Sequence, residues 1–196
     1  MRAKDEQKRS AIREKTIEMV VKSGLDGFSM QKLAKAAGVS PATLYIYYKD
    51  REDLILQTCV EISNELFEAT IHDFDPDMHF AEGMKVQWKN RAAFFLRHPV
   101  ELEFMEQIRY SPMHEKIKET IMQKFGAILG KFAENAVQRG ELVRLPFEVY
   151  WSVAYAPLYQ LLKFHAQENS YVQKKFQLTD EMMDQSLQLI LKALKP

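Results

Sequence analysis

At 196 residues, of which 46% are hydrophobic, the chain is long enough for one or two domains with buried cores. Its 27 basic and 27 acidic residues cancel, which excludes a strongly basic, non-specific nucleic-acid binder. A single cysteine, Cys59, rules out an intramolecular disulfide and fits a reducing cytoplasm, and the charged start MRAKDEQKRSAIREK lacks the apolar run of a signal peptide.

Glycine is scarce and no stretch alternates strictly with period two, so the expected fold is all-α. A first helix is expected over Lys4 to Ser23, ending before Gly24, with Ile12, Ile17, Val20 and Val21 turned inward. Residues 29 to 54, SMQKLAKAAGVSPATLYIYYKDREDL, then spell two short helices and a tight turn. Ser29 caps the first helix, with Phe28 and Leu33 placed as a hydrophobic staple around it. Gly38 stands where that helix must stop and positive φ is favoured. Ser40 caps the second helix, Pro41 takes its first position, and Val39 with Leu44 repeats the staple. Asp50 opens a further helix.

Helix, short turn and helix make a helix-turn-helix. In the second helix Leu44 is the inward anchor. Thr43, Tyr45, Tyr47 and Tyr48 bring hydroxyls and Lys49 a charge, which suits a surface facing phosphates and base edges. Three tyrosines within four residues make a poor solvated face. Residues 1 to 55 hold eleven basic and eight acidic residues, a net +3, and the remainder holds sixteen and nineteen, a net −3. That polarity is mild but has the right sign.

The stretch from Ile12 to Leu54 resembles the DNA-binding domain of the tetracycline-repressor (TetR) family of bacterial transcription regulators. Ile12, Gly24, Ser29, Leu33, Ala34, Ala37-Gly38-Val39-Ser40, Thr43-Leu44-Tyr45, Tyr47, Tyr48 and Leu54 carry the resemblance. Pro41-Ala42 departs from the family's usual pair of a polar residue and glycine. The resemblance implies about nine helices, with a DNA-binding domain over residues 1–50, a connecting helix over 51–71, and an effector-binding and dimerisation domain over 51–196. By the same analogy Thr43, Tyr47 and the Pro41-Ala42 surface lie nearest bases. Ser29, Gln31, Ser40, Tyr45, Tyr48 and Lys49 lie nearest phosphates or the turn.

Prolines punctuate the rest of the chain. A loop at HDFDPDM precedes a helix that ends before Pro99, followed by helices over 99–110, 112–138, 146–167 and 180–195. The helix beginning at Pro146 is apolar nearly all round and must be covered on more than one side. Pro157 should kink it and free a carbonyl near residue 153. The last helix carries Met183, Leu187, Ile190, Leu191 and Leu194 on one stripe, and with the helix before it is expected to form a four-helix homodimer seam, as the family likeness implies. The family likeness also implies a cavity for a small, largely apolar effector, with Trp88, Phe95, Phe104, Ile108, Phe125, Trp151 and Tyr155 as its expected lining and Arg109 and Tyr110 as polar candidates.

Five scattered histidines and one cysteine give no metal-ligand spacing, and no phosphate loop or catalytic constellation stands out. No cofactor, membrane span or enzymatic activity is therefore expected. The reading is a cytoplasmic, homodimeric repressor of a palindromic operator, released by its effector. Two other readings fit the same residues: a DNA-binding regulator whose aromatic middle is solid core, and a helical carrier or interaction protein that no longer binds DNA.

Overall fold

A computed structural model describes residues 2–172 and 175–196, with side chains from residue 5 onward. Ten helices are present among the described residues: α1 (Arg2–Gly27), α2 (Met30–Ala36), α3 (Pro41–Tyr47), α4 (Arg51–Thr70), α5 (Phe80–Arg97), α6 (Pro99–Arg109), α7 (His114–Gln138), α8 (Phe147–Ala154), α9 (Ala156–Ala166) and α10 (Asp180–Leu194). No described helix is long and apolar enough to cross a membrane.

The extra helix arises where one continuous helix was expected. Pro157 lacks an N–H and its ring crowds the preceding turn, so the helix breaks at Tyr155, with φ −127°. The break releases the carbonyl of Ala154, which accepts a hydrogen bond from the buried Trp88 indole at 2.9 Å. The first helix likewise runs past its expected end. Gly24, at φ 69°, redirects the chain and one more turn follows.

The chain forms two compact units, residues 1–64 with 100–121 and residues 65–99 with 122–196. The DNA-binding region expected over residues 1–50 lies within the first unit. α6 belongs with the helix-turn-helix: Gln107 donates to the Val21 carbonyl at 3.2 Å, and Cys59 Sγ lies 3.3 Å from Met105 Sδ. Ile12, Val20, Leu33, Leu44, Leu54 and Ile62 form this unit's core. The buried hydroxyls of Thr16, Thr58 and Ser63 each bond the carbonyl four residues back, so no polar group is stranded by their burial.

In the second unit Gly83 lets α5 meet Phe132 closely. A Cβ there would overlap the Phe132 ring. α5 lacks a local side-chain cap, and Glu141 supplies one from a distance. It accepts from Phe80 N at 2.8 Å and Arg139 Nε at 3.2 Å, and meets His79 Nδ1 at 2.6 Å. Val143 N bonds the Leu194 carbonyl at 2.9 Å, which ties the following strand of coil to the end of α10.

Candidate nucleic-acid interface and the buried polar cluster

The two short helices are held by the local rules that specify them. Ser29 Oγ accepts from Lys32 N at 3.2 Å, and Ser40 Oγ accepts from Thr43 N at 3.1 Å. Between them Gly38 takes φ 66°. Its N–H bonds Lys35 O at 3.3 Å while Val39 N bonds Ala34 O at 2.9 Å, the paired bonds of a Schellman stop. Asp50 then caps α4 through Asp53 N at 2.8 Å, and Asp53 returns a bond from Lys49 N at 2.8 Å. The bond from Gln57, then that from Lys49 N, holds the Asp53 carboxyl below its ordinary range.

Leu44 is fully buried and anchors α3. The opposite face presents Pro41, Ala42, Tyr45 and Ile46, with Ser40 and Lys49 exposed at the ends. Gln31 is exposed on α2, and Ser29 is partly so. Thr43 is half-buried, with its hydroxyl 2.8 Å from Ser40 Oγ. Tyr47 is also half-buried, and its hydroxyl donates to the Asp5 carboxylate of α1, a bond that raises the phenol's pKa.

Tyr48 departs from expectation. It is only 3% exposed, its ring set edge-on to Tyr47 at 6.3 Å, so it belongs to the core and not to an open phosphate-facing surface. The helix has ended by Tyr48, whose extended backbone turns the ring inward. Ile46 is the surface residue that sequence reasoning missed. It is 76% exposed, and its position, two residues from the buried Leu44 and hence on the far side of a helix, was the available signal. Arg51 fixes this region to α1 by donating to the Leu25 carbonyl, its guanidinium 5.8 Å from the Phe28 ring.

The expected effector-lining residues divide between the units. Phe104 and Ile108 are buried in the first unit, where Arg109 and Tyr110 are exposed at the end of α6. Trp88, Phe95, Phe125, Trp151 and Tyr155 lie in the second. Two depressions of the second unit, of about 190 and 220 Å³, are lined by other residues, among them Phe147 and Tyr150 in one and Gln160 and Phe164 in the other.

What the second unit does gather is polar. Gln87 and Arg91 lie one turn apart on α5, 0% and 5% exposed. Tyr155 donates to Gln87 Oε1 at 2.8 Å, and Arg91 Nη1 donates to the Tyr159 hydroxyl at 2.7 Å. The guanidinium sits 4.8 Å from the Tyr155 ring and 5.6 Å from that of Phe125. Trp151 stacks on Tyr159 at 5.9 Å. Burial pushes the Tyr155 phenol up, against the pull of Arg91.

The expected dimer stripe also needs correction. Leu187, Ile190 and Leu194 are buried within the chain's own second unit, where α10 packs on α8 and α9, and Met183 and Leu191 are half-covered. The helix spends its strongest apolar stripe on its own subunit. The apolar residues left open are Met182 and Leu189 on α10 and Phe147 and Val149 on α8. Cys59 is buried among apolar neighbours, which push its thiol up to about 12 and leave it an unreactive packing group. Among the described residues no three His, Cys, Asp or Glu side chains gather as a metal site.

Residues 12–58 match the family model of the bacterial regulatory proteins of the tetR family. The chain is 33% identical over 107 residues to an uncharacterized HTH-type transcriptional regulator of Haemophilus influenzae, a match covering 54% of this chain and 57% of that protein. It superposes on the crystal structure of a TetR family transcription regulator from Marinobacter aquaeolei with a TM-score of 0.88 at 29% identity, covering 100% of this chain and 99% of that one. The fold also matches that of FadR from Bacillus subtilis in complex with stearoyl-CoA, with a TM-score of 0.75 at 17% identity over 94% of this chain and 98% of that chain.

Proposed function

The chain belongs to the tetR family of bacterial regulatory proteins and is a DNA-binding, helix-turn-helix transcriptional regulator; on that footing we propose that it acts as a homodimeric repressor, released from a palindromic operator by a small effector. One observation carries the DNA-facing part. A short helix, capped at Ser40 and pinned by the buried Leu44, presents Pro41, Ala42, Tyr45 and Ile46 to the outside. A helix of this size fits the major groove, and its N-terminal residues reach base edges. Ile46 is an apolar contact for a thymine methyl. Ser29, Gln31 and Lys49, at the rim, hold the backbone.

One such module reads a short half-site, so specificity calls for two copies related by a two-fold axis. The exposed Met182 and Leu189, seven residues apart and so on one face of α10, are the apolar surface assigned to that contact. The effector reading draws support from the buried polar cluster on α5 and from the stearoyl-CoA held by a protein of the same fold. Release requires the effector to bind more tightly to the conformation that does not match the operator.

The reading is tested by mobility shift on the DNA upstream of the gene, with and without compounds that raise the protein's melting temperature. Retarded DNA that is freed by those compounds supports it. Retarded DNA with no stabilising compound favours a regulator without an effector.

A further inference from the structure

The α5 stripe that faces the interior of the second unit includes Phe80, Met84, Trp88, Ala92 and Phe95, as a core helix should. Two of its positions break the pattern, Gln87 and Arg91. Each is partnered on one side only. Gln87 Oε1 is satisfied by Tyr155, but its Nε2 is buried with no hydrogen-bond partner. Arg91 Nη1 is satisfied by Tyr159, but its Nε is buried with none. No carboxylate among the described residues forms an ion pair with Arg91, whose charge rests on the faces of Tyr155 and Phe125. Arginine cannot shed its proton, so the charge persists. A buried cation without an anion, beside an unpaired amide, is a costly arrangement that packing alone would not select.

We propose that Gln87 and Arg91 form the anchor for a carboxylate, and that the effector is an apolar or aromatic monocarboxylic acid; this rests on the ligand-responsive reading above. The two vacant donors stand one turn apart on one helix and both flank Tyr155. A carboxylate offers two acceptor oxygens and one delocalised negative charge, the complement of one guanidinium N–H and one amide N–H. A phosphate would bring roughly two charges to a single cation. The surrounding rings, Phe95, Phe125, Trp151 and Tyr159, suit an apolar body. Phe125, Trp151 and Tyr159 are each partly exposed, so displacing them opens the way from solvent to the buried guanidinium.

The test is thermal shift and calorimetry on the full-length protein with straight-chain acids from butyrate to palmitate and with phenylacetate and phenylbutyrate. Each acid is run beside its primary amide and, where one exists, its coenzyme A thioester. At least one acid should raise the melting temperature while its amide and thioester do not. Arg91→Met should weaken that acid roughly ten- to a hundredfold without lowering the melting temperature of the ligand-free protein. Arg91→Lys, which keeps the charge and loses the fork, should fall between. Equal binding of acid and amide, or tighter binding of the thioester, overturns the carboxylate anchor and leaves the effector reading standing. The same holds if acid binding is unchanged in both variants. A large loss of ligand-free stability in both assigns Arg91 to the structure and overturns the proposal. Binding of none of these acids overturns the carboxylate anchor, and the effector reading is then decided by the mobility-shift test with other stabilising compounds.

Discussion

Replacing Trp88 with phenylalanine tests how the second unit is assembled, because one bond joins α5 to the break between α8 and α9. The indole N–H lies 2.9 Å from the Ala154 carbonyl, and both residues are buried. Phenylalanine removes the donor and leaves that carbonyl without a partner, which costs about 1–3 kcal/mol. It also removes the larger ring's packing and leaves a small void, for about 1–2 kcal/mol more. The sum is roughly 2–5 kcal/mol, which at about 2–4 °C per kcal/mol for a chain of this size lowers the melting temperature by roughly 4–20 °C. Urea unfolding should show the loss as a lower midpoint at unchanged slope. Pro157→Ala restores an N–H and lets the helix run on, so that Ala154 regains an acceptor's place within it. Trp88→Phe should therefore cost less in the Pro157→Ala background. A loss under about 0.5 kcal/mol in the wild-type background, or the same loss in both, would refute the account of the break.

Leu189, 67% exposed, is the α10 residue placed for a second copy, so Leu189→Glu should give folded monomers in sedimentation, whereas Leu187→Glu should unfold the second unit by burying an unpaired charge; a dimeric Leu189→Glu protein would move the seam elsewhere. Lys49→Ala should weaken binding to every DNA sequence and lower the salt slope by about one; a loss confined to one base position would contradict its backbone role. Ile46→Asn should instead cost about 1 kcal/mol at a thymine position with the slope unchanged, and an equal loss on all sequences would refute direct contact. Burial raises the Glu141 carboxyl, but bonds from His79, Phe80 N and Arg139 outweigh it and hold the group at about 2, against an ordinary 4.5. Its contribution is therefore complete above pH 4.5 and is lost as the pH falls towards 2, so Glu141→Gln should flatten the acid limb of the stability curve over that window; an unchanged limb would show that the α5 cap does not depend on the charge.

The reading head was legible because its rules are local. Ser29, Gly38, Ser40 and Pro41 act on backbone within four residues, and each does in the structure what its position implies. Pro157 announced a kink for the same reason, and the structure carries it to a full break. What it could not announce was the partner of the freed carbonyl, since Trp88 lies 66 residues away. The α10 stripe shows a different limit. Leu187, Ile190 and Leu194 look the same in sequence whether α8 and α9 or a second chain covers them. Tyr48 falls just past a helix end, where the backbone's extended turn decides which way the ring points. Gln87 and Arg91 went unnoticed because α5 carries many polar residues. Among exposed neighbours such as Lys85 and Lys89, a single arginine gives no sign that it is buried.

A dimeric regulator that reads DNA through α3 should recognise a symmetric site. In vitro selection from a random duplex library at physiological salt tests it most directly. One enriched sequence with two-fold symmetry is expected, bound by two chains, with half-site centres separated by a whole number of helical turns. Tyr45→Ala combined with Ile46→Ala should abolish the enrichment while the protein stays folded. No enrichment over non-specific binding, or an asymmetric site bound by one chain, would contradict it.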